Sequence, residues 1–530
     1  MFKVLVSDPI SDLGIQQLMD VSDITVDKKT GLSEDELTAI ISEYDALLVR
    51  SQTTVTAKIM EAATKLKVVG RAGVGVDNID LEAATQRGII VINAPDGNTI
   101  TTCEHTFAMM MALARHIPQA YAKTINGTWD RKSFLGVELR NKTLGVLGMG
   151  RIGSEVAKRA KAFGMDILGY DPFLTQERAD KMGVKLASVD DILQHADFMT
   201  VHTPLTPETK HMISTPQFQI MKKGMRIINC ARGGVIDELA LVAAIDEGIV
   251  AGAAFDVFES EPPQADHPFL NHPSIIVTPH LGASTVEAQE NVAIDVSEQV
   301  LHILRDEPFK NAVNMPPVAA SVMNKLQPYF GLGEKLGSFA AQISVQAIQE
   351  IRIDYAGDLS EVDTQPLTRY ILKGILSRHL GSEANIVNSL HLAKVRDLNV
   401  IVTSAPSTKG FTNLITVSLK GQDGSDQRIS GTLLSGYGER IVRINDYSVD
   451  VLPAGHQILV SHTDKPGIIG NVGSLLGQKD VNIASMQVGR KIEGGEAIMI
   501  LTVDKDVPKQ VLVELTSLPN LNTAQEVVLA

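Results

Sequence analysis

The chain has 530 residues, a formal net charge of −14 and 44% hydrophobic residues, with a mean hydropathy of +0.07. That length is several domains' worth, and that charge excludes a general nucleic-acid binder while leaving room for a local arginine cluster to hold a small anion. A single Trp, 4% aromatics and abundant small apolar residues suit tightly packed α/β layers.

The opening MFKVLVSD runs straight into a strand pattern with no basic lead and no long apolar core, so no secretory leader is expected. No window of about 18 uncharged apolar residues occurs, so no membrane span is expected. Two cysteines, Cys103 and Cys230, make no disulfide framework and fit the reducing cytoplasm.

Over residues 1–95, FKVLVSD, DALLVRS, LKVVGRAG and GIIVINAP read as strands between polar helical stretches. Each ends in Ser, Asp, Arg, Gly or Pro, where an open α/β sheet places its ligands. CEHTFAMMMALARHI reads as a helix whose Met cluster is core. A second series, TLGVLGMG, DILGYDP, DFMTVHTP, MRIINCARG, GAAFDVF and SIIVTPH, is apolar throughout, as strands covered on both faces are. NMPPVAA, with Pro316 and Pro317, reads as a linker. Beyond it, PYFGLGEKLGSFAAQI reads as helix, and FTNLITVSL and GERIVRI as strands. From HQILVSHTDKPG onward the pattern is another small α/β unit.

TLGVLGMGRIGSEVAKRAKAFGMDILGYD holds G-x-G-x-x-G as Gly148, Gly150 and Gly153. A lone GxGxxG says little, but here a strand precedes it, a helix follows, and a second strand ends at Asp171. Gly148 permits the tight turn, Gly150 lets backbone approach a pyrophosphate, and Gly153 allows close helix–strand packing. The helix N-terminus then offers its N–H groups to phosphate. Asp171 suits two ribose hydroxyls and repels a 2′-phosphate, which favours NAD over NADP. The plainer alternative is that Asp171 only ends a strand before Pro172.

Three strand ends carry further chemistry: NCARGGVID offers Arg232, FESEPP offers Glu261 and VTPHLGAST offers His280. Histidine suits proton exchange near neutral pH, and a neighbouring Glu raises its pKa and orients its ring. Arginine's planar fork grips the carboxylate of a 2-oxo or 2-hydroxy acid. Singly, these read as a structural His, a turn residue and a surface charge. Together, after a dinucleotide fold, they are the parts that hydride transfer from a secondary alcohol needs.

LGMGRIG, HTPLTPET, NCARGGVIDE, DVFESEPP and PHLGAST resemble the D-isomer-specific 2-hydroxyacid dehydrogenases, most closely the long-form members that act on 3-phosphoglycerate. The resemblance implies an α/β chain with a Rossmann-type NAD domain (98–285) inserted in a flavodoxin-like substrate domain (1–97 and 286–315). It implies an α+β intervening domain (316–452) and a ferredoxin-like ACT domain (453–530) after them. His280 would be the acid/base, Glu261 its partner and Arg232 the carboxylate anchor. Arg151, Ile152, Thr203, Pro204, Cys230, Ala231, Asp256 and Gly282 would line the NAD pocket with Asp171 and the glycines. No metal is expected.

A phosphorylated substrate needs a second cationic site. LLVRSQTTV offers Arg50, and VVGRAGVGVDNID offers Arg71 before the turn Gly73, Val74, Gly75. WDRKSFLG adds Arg131 and Lys132, which in the family's arrangement reach a neighbouring subunit's site; ordinary solvation is the alternative. VSHTDKPGIIGNVGSLLGQKDVNIASMQVGR resembles the loop, helix and strand of an ACT domain, which implies an L-serine effector site of His462, Asp464 and Asn482. A unit that only pairs subunits is the alternative there. The resemblance links the intervening domain of some members to anion or substrate binding; ordinary solvated surface is the alternative for its basic residues Lys335, Arg440 and Arg443. Analogy implies a homotetramer through NAD-domain and ACT-domain pairing. The rival readings are a hydroxypyruvate or glyoxylate reductase and a non-catalytic NAD-sensing protein.

Overall fold

The computed structural model describes residues 1–316, 318–344, 346–404 and 408–529, so Pro317 of the linker lies outside the described residues. Strands β1 (Phe2–Val6), β2 (Ile24–Lys28), β3 (Ala46–Val49), β4 (Val68–Arg71) and β5 (Ile90–Asn93) form a parallel sheet in the order β2-β1-β3-β4-β5. That is the flavodoxin-type order. The β2 strand is absent from the sequence reading: ITVDK is an edge strand, only Ile24 is buried, and two charges break its apolar run.

Helix Val286–Leu304 returns to this first sheet, where Val292, Val296 and Val300 pack with Val4, Leu48 and Ile92. The crossing is tight: a Cβ on Gly14 would sit 2.1 Å from the Ala293 methyl.

Between β5 and that helix lies a second parallel sheet. Its strands are β6 (Thr143–Leu147), β7 (Asp166–Tyr170), β8 (Lys185–Leu186), β9 (Phe198–Val201), β10 (Met225–Asn229), β11 (Val250–Phe255) and β12 (Ile275–Val277). The order is β12-β11-β10-β9-β6-β7-β8, so strand order reverses between β6 and β9, the crevice where a doubly wound sheet binds its ligand. Helix Thr99–Arg115 covers this sheet and buries Cys103, Met109, Met110 and Leu113 in its core. The carboxyl ends of β3, β4, β6 and β7 and of β9 to β12 carry the residues singled out from sequence in these two sheets. Where the chain passes between the two units, the Thr101 and Thr285 hydroxyls meet at 3.2 Å.

A third sheet joins β13 (Ile348–Gly357), β14 (Asn399–Ser404), β15 (Asn413–Gly421), β16 (Asp426–Leu434), β17 (Gly438–Ile444) and β18 (Tyr447–Val451). Helices Phe330–Ile343 and Gln365–Leu380 pack so closely that a Cβ on Gly337 would meet the Ile371 carbonyl at 2.2 Å. Lys335 is paired with Glu439 at 2.8 Å and Arg440 with Asp450 at 3.3 Å. The fourth sheet, β20 (Ile483–Arg490), β21 (Glu496–Val503), β19 (Gly455–Thr463) and β22 (Leu521–Leu529) in that spatial order, is antiparallel.

The third and fourth sheets share one core. Ile498, Ile500, Val527 and Leu529 join Leu336 and Phe339 in a single apolar cluster. Gln342 seals its edge, donating to the Val528 carbonyl at 2.8 Å and accepting the Val528 N–H at 2.9 Å. The third unit also docks on the first: Asn385 donates to the Gly88 carbonyl at 2.9 Å, and Val387 joins the first sheet's core. No helix among the described residues is long and apolar enough to cross a membrane.

Candidate active site

The loop after β12 turns sharply because His280 takes a left-handed backbone, φ +55°, uncommon for a residue with a side chain. Asp256, at the end of β11, holds that turn. Its fully buried carboxylate accepts from the Thr278 hydroxyl at 2.6 Å and from the Leu281 and Gly282 amides at 2.7 Å each. Burial pushes its pKa up, but His105, Thr278 and the Leu281 amide outweigh burial and hold it below the usual range.

On that turn His280 Nδ1 lies 2.6 Å from Glu261 Oε2, and Glu261 Oε1 accepts the Phe258 N–H at 3.1 Å. With Nδ1 engaged, Nε2 is the atom left for proton exchange, and the ring is half exposed. The Glu261 hydrogen bond raises the His280 pKa above its ordinary value, against the opposing effect of burial. Glu261 is pushed up by its own burial, but the His280 bond and the Phe258 amide win and its pKa falls.

The arginines converge from two sheets. Arg232 lies against the turn after β4: a Cβ on Gly75 would come 2.4 Å from Arg232 Nη2. A Cβ on Gly73 would come 2.3 Å from Arg71 Nη1, so both guanidiniums lie against glycine backbone. Burial lowers the Arg71 pKa, and the positive charges of Arg232 and Arg50 lower it further. A guanidinium stays charged regardless, so the cluster calls for an anion. Asp77 compensates only in part, 3.6 Å from Arg232 Nε and mostly exposed.

Asn78 and Asp8, absent from the sequence reading, place the arginines. Asn78 accepts from Arg71 Nε at 3.2 Å and donates to the Arg50 carbonyl at 2.7 Å. Asp8 is buried and accepts the Arg50 N–H at 2.6 Å. Val74 contributes its carbonyl to Asn93 at 2.5 Å. Arg131 and Lys132 are exposed on a loop fixed by Asp130, and among the described residues they make no hydrogen bond to the cluster.

The glycine loop fits a dinucleotide. Gly148 has φ +95°, and a Cβ there would meet the His202 carbonyl at 2.6 Å. A Cβ on Gly153 would sit 2.0 Å from the Gly148 carbonyl, whereas Gly150 faces open space. Helix Arg151–Ala162 starts there without a side-chain cap, leaving its first N–H groups for phosphate. Asp171 accepts the Met149 N–H at 2.9 Å and the Phe173 N–H at 2.8 Å, and each oxygen keeps a lone pair for a ribose hydroxyl. Arg151 Nε lies 2.5 Å from Asp96 across the gap between the first two sheets, and Ile152 packs on the second core.

Among the described residues, Thr203 Oγ1 is buried without a hydrogen-bond partner, as are the side-chain oxygens of Asn98 and Thr99 at the start of helix Thr99–Arg115. The Pro204 carbonyl is taken by Thr209 at 2.7 Å, and Ala231 N–H by Asn229 at 3.0 Å. Burial pushes the Cys230 thiol far up, so it is a wall residue and not a thiolate. Asp256, expected to line the NAD pocket, has no exposed surface and accepts the N–H of Gly282, another residue expected there.

In the fourth unit, His462, Asp464, Pro466, Gly467 and Arg490 line a cavity of about 450 Å³. His462 is 2% exposed, and its Nε2 has no hydrogen-bond partner among the described residues. Asp464 pairs with Arg490 at 3.1 Å, which holds its pKa below the usual range. Asn482 lies elsewhere. Along β21 the residues paired with His462 and Ile483 are Ala497 and Val503, six residues or roughly 20 Å apart. Asn482 bonds Asp504 at 2.7 Å at that far end.

The parallel sheet with a glycine loop at its switch point and a His–Glu pair beside an arginine cluster define an NAD-dependent dehydrogenase of 2-hydroxy acids. Models of the D-isomer specific 2-hydroxyacid dehydrogenase NAD-binding domain, the D-3-phosphoglycerate dehydrogenase intervening domain and the ACT domain match residues 107–282, 325–445 and 456–520. The D-3-phosphoglycerate dehydrogenase of Bacillus subtilis is 48% identical over 98% of both chains. That of Methanocaldococcus jannaschii is 46% identical over 98% of both. A glyoxylate reductase structure from Paecilomyes thermophila is 30% identical with a TM-score of 0.54, covering 59% of this chain and 98% of its own. The chain belongs to the D-3-phosphoglycerate dehydrogenase family.

The loop geometry separates two glycine variants. Gly150→Ala keeps wild-type thermal stability but binds NADH more weakly, because its methyl enters the open space before the helix. Gly153→Ala loses both stability and binding. Thermal melts and NADH fluorescence titrations of both proteins check this; tight NADH binding by Gly150→Ala contradicts it.

Proposed function

We propose that the chain oxidises 3-phospho-D-glycerate to 3-phosphohydroxypyruvate with NAD, the first step of L-serine biosynthesis, in the cytoplasm. The observation that carries this reading is the cluster of Arg50, Arg71 and Arg232: a plain 2-hydroxy acid has one anionic end, and this site offers charge for two. Arg232 and the Gly73–Gly75 turn hold the carboxylate, and Arg50 and Arg71 hold the phosphate. His280 Nε2 takes the proton of the C2 hydroxyl, and Glu261 stabilises the imidazolium that results. Bound NAD supplies the hydride acceptor. The glycine loop and Asp171 hold the pyrophosphate and ribose, and the buried, partnerless Thr203 hydroxyl supports a further polar contact to the cofactor. His280→Ala lowers kcat by about 10²–10⁴-fold, with NADH binding retained. Arg50→Ala raises KM for 3-phosphoglycerate far more than for an unphosphorylated hydroxy acid. Steady-state kinetics on both substrates decide, and equal losses on both remove Arg50 from phosphate binding.

We further propose that the ACT unit binds L-serine. Asp464 takes the amino group, while Arg490 and the first amides of helix Ile468–Gln478 take the carboxylate. The unpartnered His462 Nε2 supports a polar ligand in this cavity. Asn482 sits too far along the sheet to serve its own chain's pocket, which supports a site completed by a second copy. Calorimetric titration of the whole chain with L-serine gives heat that His462→Ala abolishes. No heat from either protein supports a purely structural unit.

We also propose that the chain assembles as a homotetramer. Helix Ile117–Ile125 buries none of its residues, and Ile117, Tyr121, Ile125, Trp129 and Leu135 form an exposed apolar run beside Arg131 and Lys132. Light scattering then reports about four times the 57.1 kDa chain mass; a monomer overturns this reading.

A further inference from the structure

The catalytic reading uses one His–carboxylate pair, and a second lies beside it without a role. Glu238 opens helix Glu238–Asp246 and is only 8% exposed. Its Oε2 lies 2.9 Å from His267 Nε2, and its Oε1 accepts the Glu259 N–H at 2.8 Å. The donor on His267 is fixed: Nδ1 accepts the Phe269 N–H at 3.3 Å, so the ring proton sits on Nε2. The ring also stands edge-on to Phe258 at 5.4 Å and to Phe269 at 5.0 Å.

Phe258 and Glu259 belong to the turn that presents Glu261, whose Oε1 accepts the Phe258 N–H. The other side of their shared peptide lies against Gly233, where a Cβ would come within 1.9 Å of the Phe258 carbonyl oxygen. Gly233 follows Arg232. One peptide therefore sets where Glu261 stands relative to Arg232: Glu238 and Gly233 hold its two sides, and His267 braces Glu238 and the Phe258 ring.

We propose that Glu238, braced by His267, is a positioning residue for the Glu261–His280 pair. It holds the Phe258–Glu261 turn so that Glu261 meets His280 Nδ1, and it touches neither substrate nor cofactor itself. The inference rests on the catalytic reading of that pair. A carboxylate is required because both partners donate. Glutamine offers one acceptor oxygen and turns an amide N–H against the other donor. A turn displaced by about 1 Å weakens the Glu261 contact, and misplacement on that scale is costly in rate.

The test compares Glu238→Gln, Glu238→Asp and Glu261→Gln in the whole chain, by NAD-linked oxidation of 3-phosphoglycerate across pH. Glu238→Gln is expected to lower kcat about 10- to 100-fold, with NADH binding capacity and the KM for NAD unchanged. The acid limb of its kcat/KM profile moves to lower pH, because a looser Glu261 contact no longer favours protonated His280. Glu238→Asp, which keeps two acceptor oxygens, recovers part of the loss. A wild-type kcat and an unmoved acid limb in Glu238→Gln, beside a crippled Glu261→Gln, overturn the inference alone. Wild-type activity in both overturns the catalytic reading as well. A kcat loss that only tracks lost NADH-binding capacity also overturns it, since that is a folding effect.

Discussion

A carboxylate with no exposed surface, Asp256, carries the geometry of the turn that presents His280. Taking that charge out of water is costly unless hydrogen bonds replace the solvent. Thr278, Leu281 and Gly282 supply them from a single turn, and His105 approaches Oδ1 at 3.2 Å. The Asp256 backbone carbonyl also accepts the His280 N–H at 2.9 Å. The strained backbone of His280 persists because its neighbours on both sides are held. The Gly282 carbonyl then accepts from Thr102 at 2.9 Å, which ties the turn to the helix that starts where the chain leaves the first sheet. Arg50 and Arg71 from the first sheet thus come to face Arg232, Glu261 and His280 from the second.

Beyond the two parallel sheets, a continuous set of packed elements leads from the ACT unit back to the first sheet. The β22 strand and helix Phe330–Ile343 share a core, and that helix lies against Gln365–Leu380. From the latter, Arg369 donates to the carbonyls of Ile386 and Val387 at 3.1 Å and 2.9 Å, in the segment that docks on Gly88. Adjacency of this kind is a physical route, and coupling along it would require two discrete arrangements that ligands bias differently. It joins the ACT unit to the sheet that carries Arg50 and Arg71.

The strands of both parallel sheets were legible because burial on two faces writes uninterrupted apolar runs such as ALLV and MRIIN. The edge strands Ile24–Lys28 and Lys185–Leu186 were not: the first is half-exposed and carries charge, and the second is only two residues long. Residues at strand ends were also legible: Arg50, Arg71, Arg232, Glu261 and His280 stand there, and the structure brings the arginines together and pairs the last two. Their supports were hidden. Asn78 reads as an ordinary turn residue and Glu238 as a favourable first-turn acid, and only the fold gives them their partners. Asn482 follows His462 within one motif, yet an antiparallel sheet sets them at opposite ends. The core shared by the third and fourth sheets left no signal, because EAIMILTV reads as a buried strand whatever covers it.

The central claim is that His280, with its pKa raised by Glu261, takes the substrate proton in a site built for two anionic ends. The most direct measurement is the initial rate of NADH formation from 3-phosphoglycerate and NAD by the whole chain as pH is raised. The oxidation needs the neutral imidazole, so kcat/KM rises with pH through an apparent pKa above the ordinary histidine value near 6.5. No NADH from 3-phosphoglycerate, or a rate indifferent to pH across that range, contradicts the account.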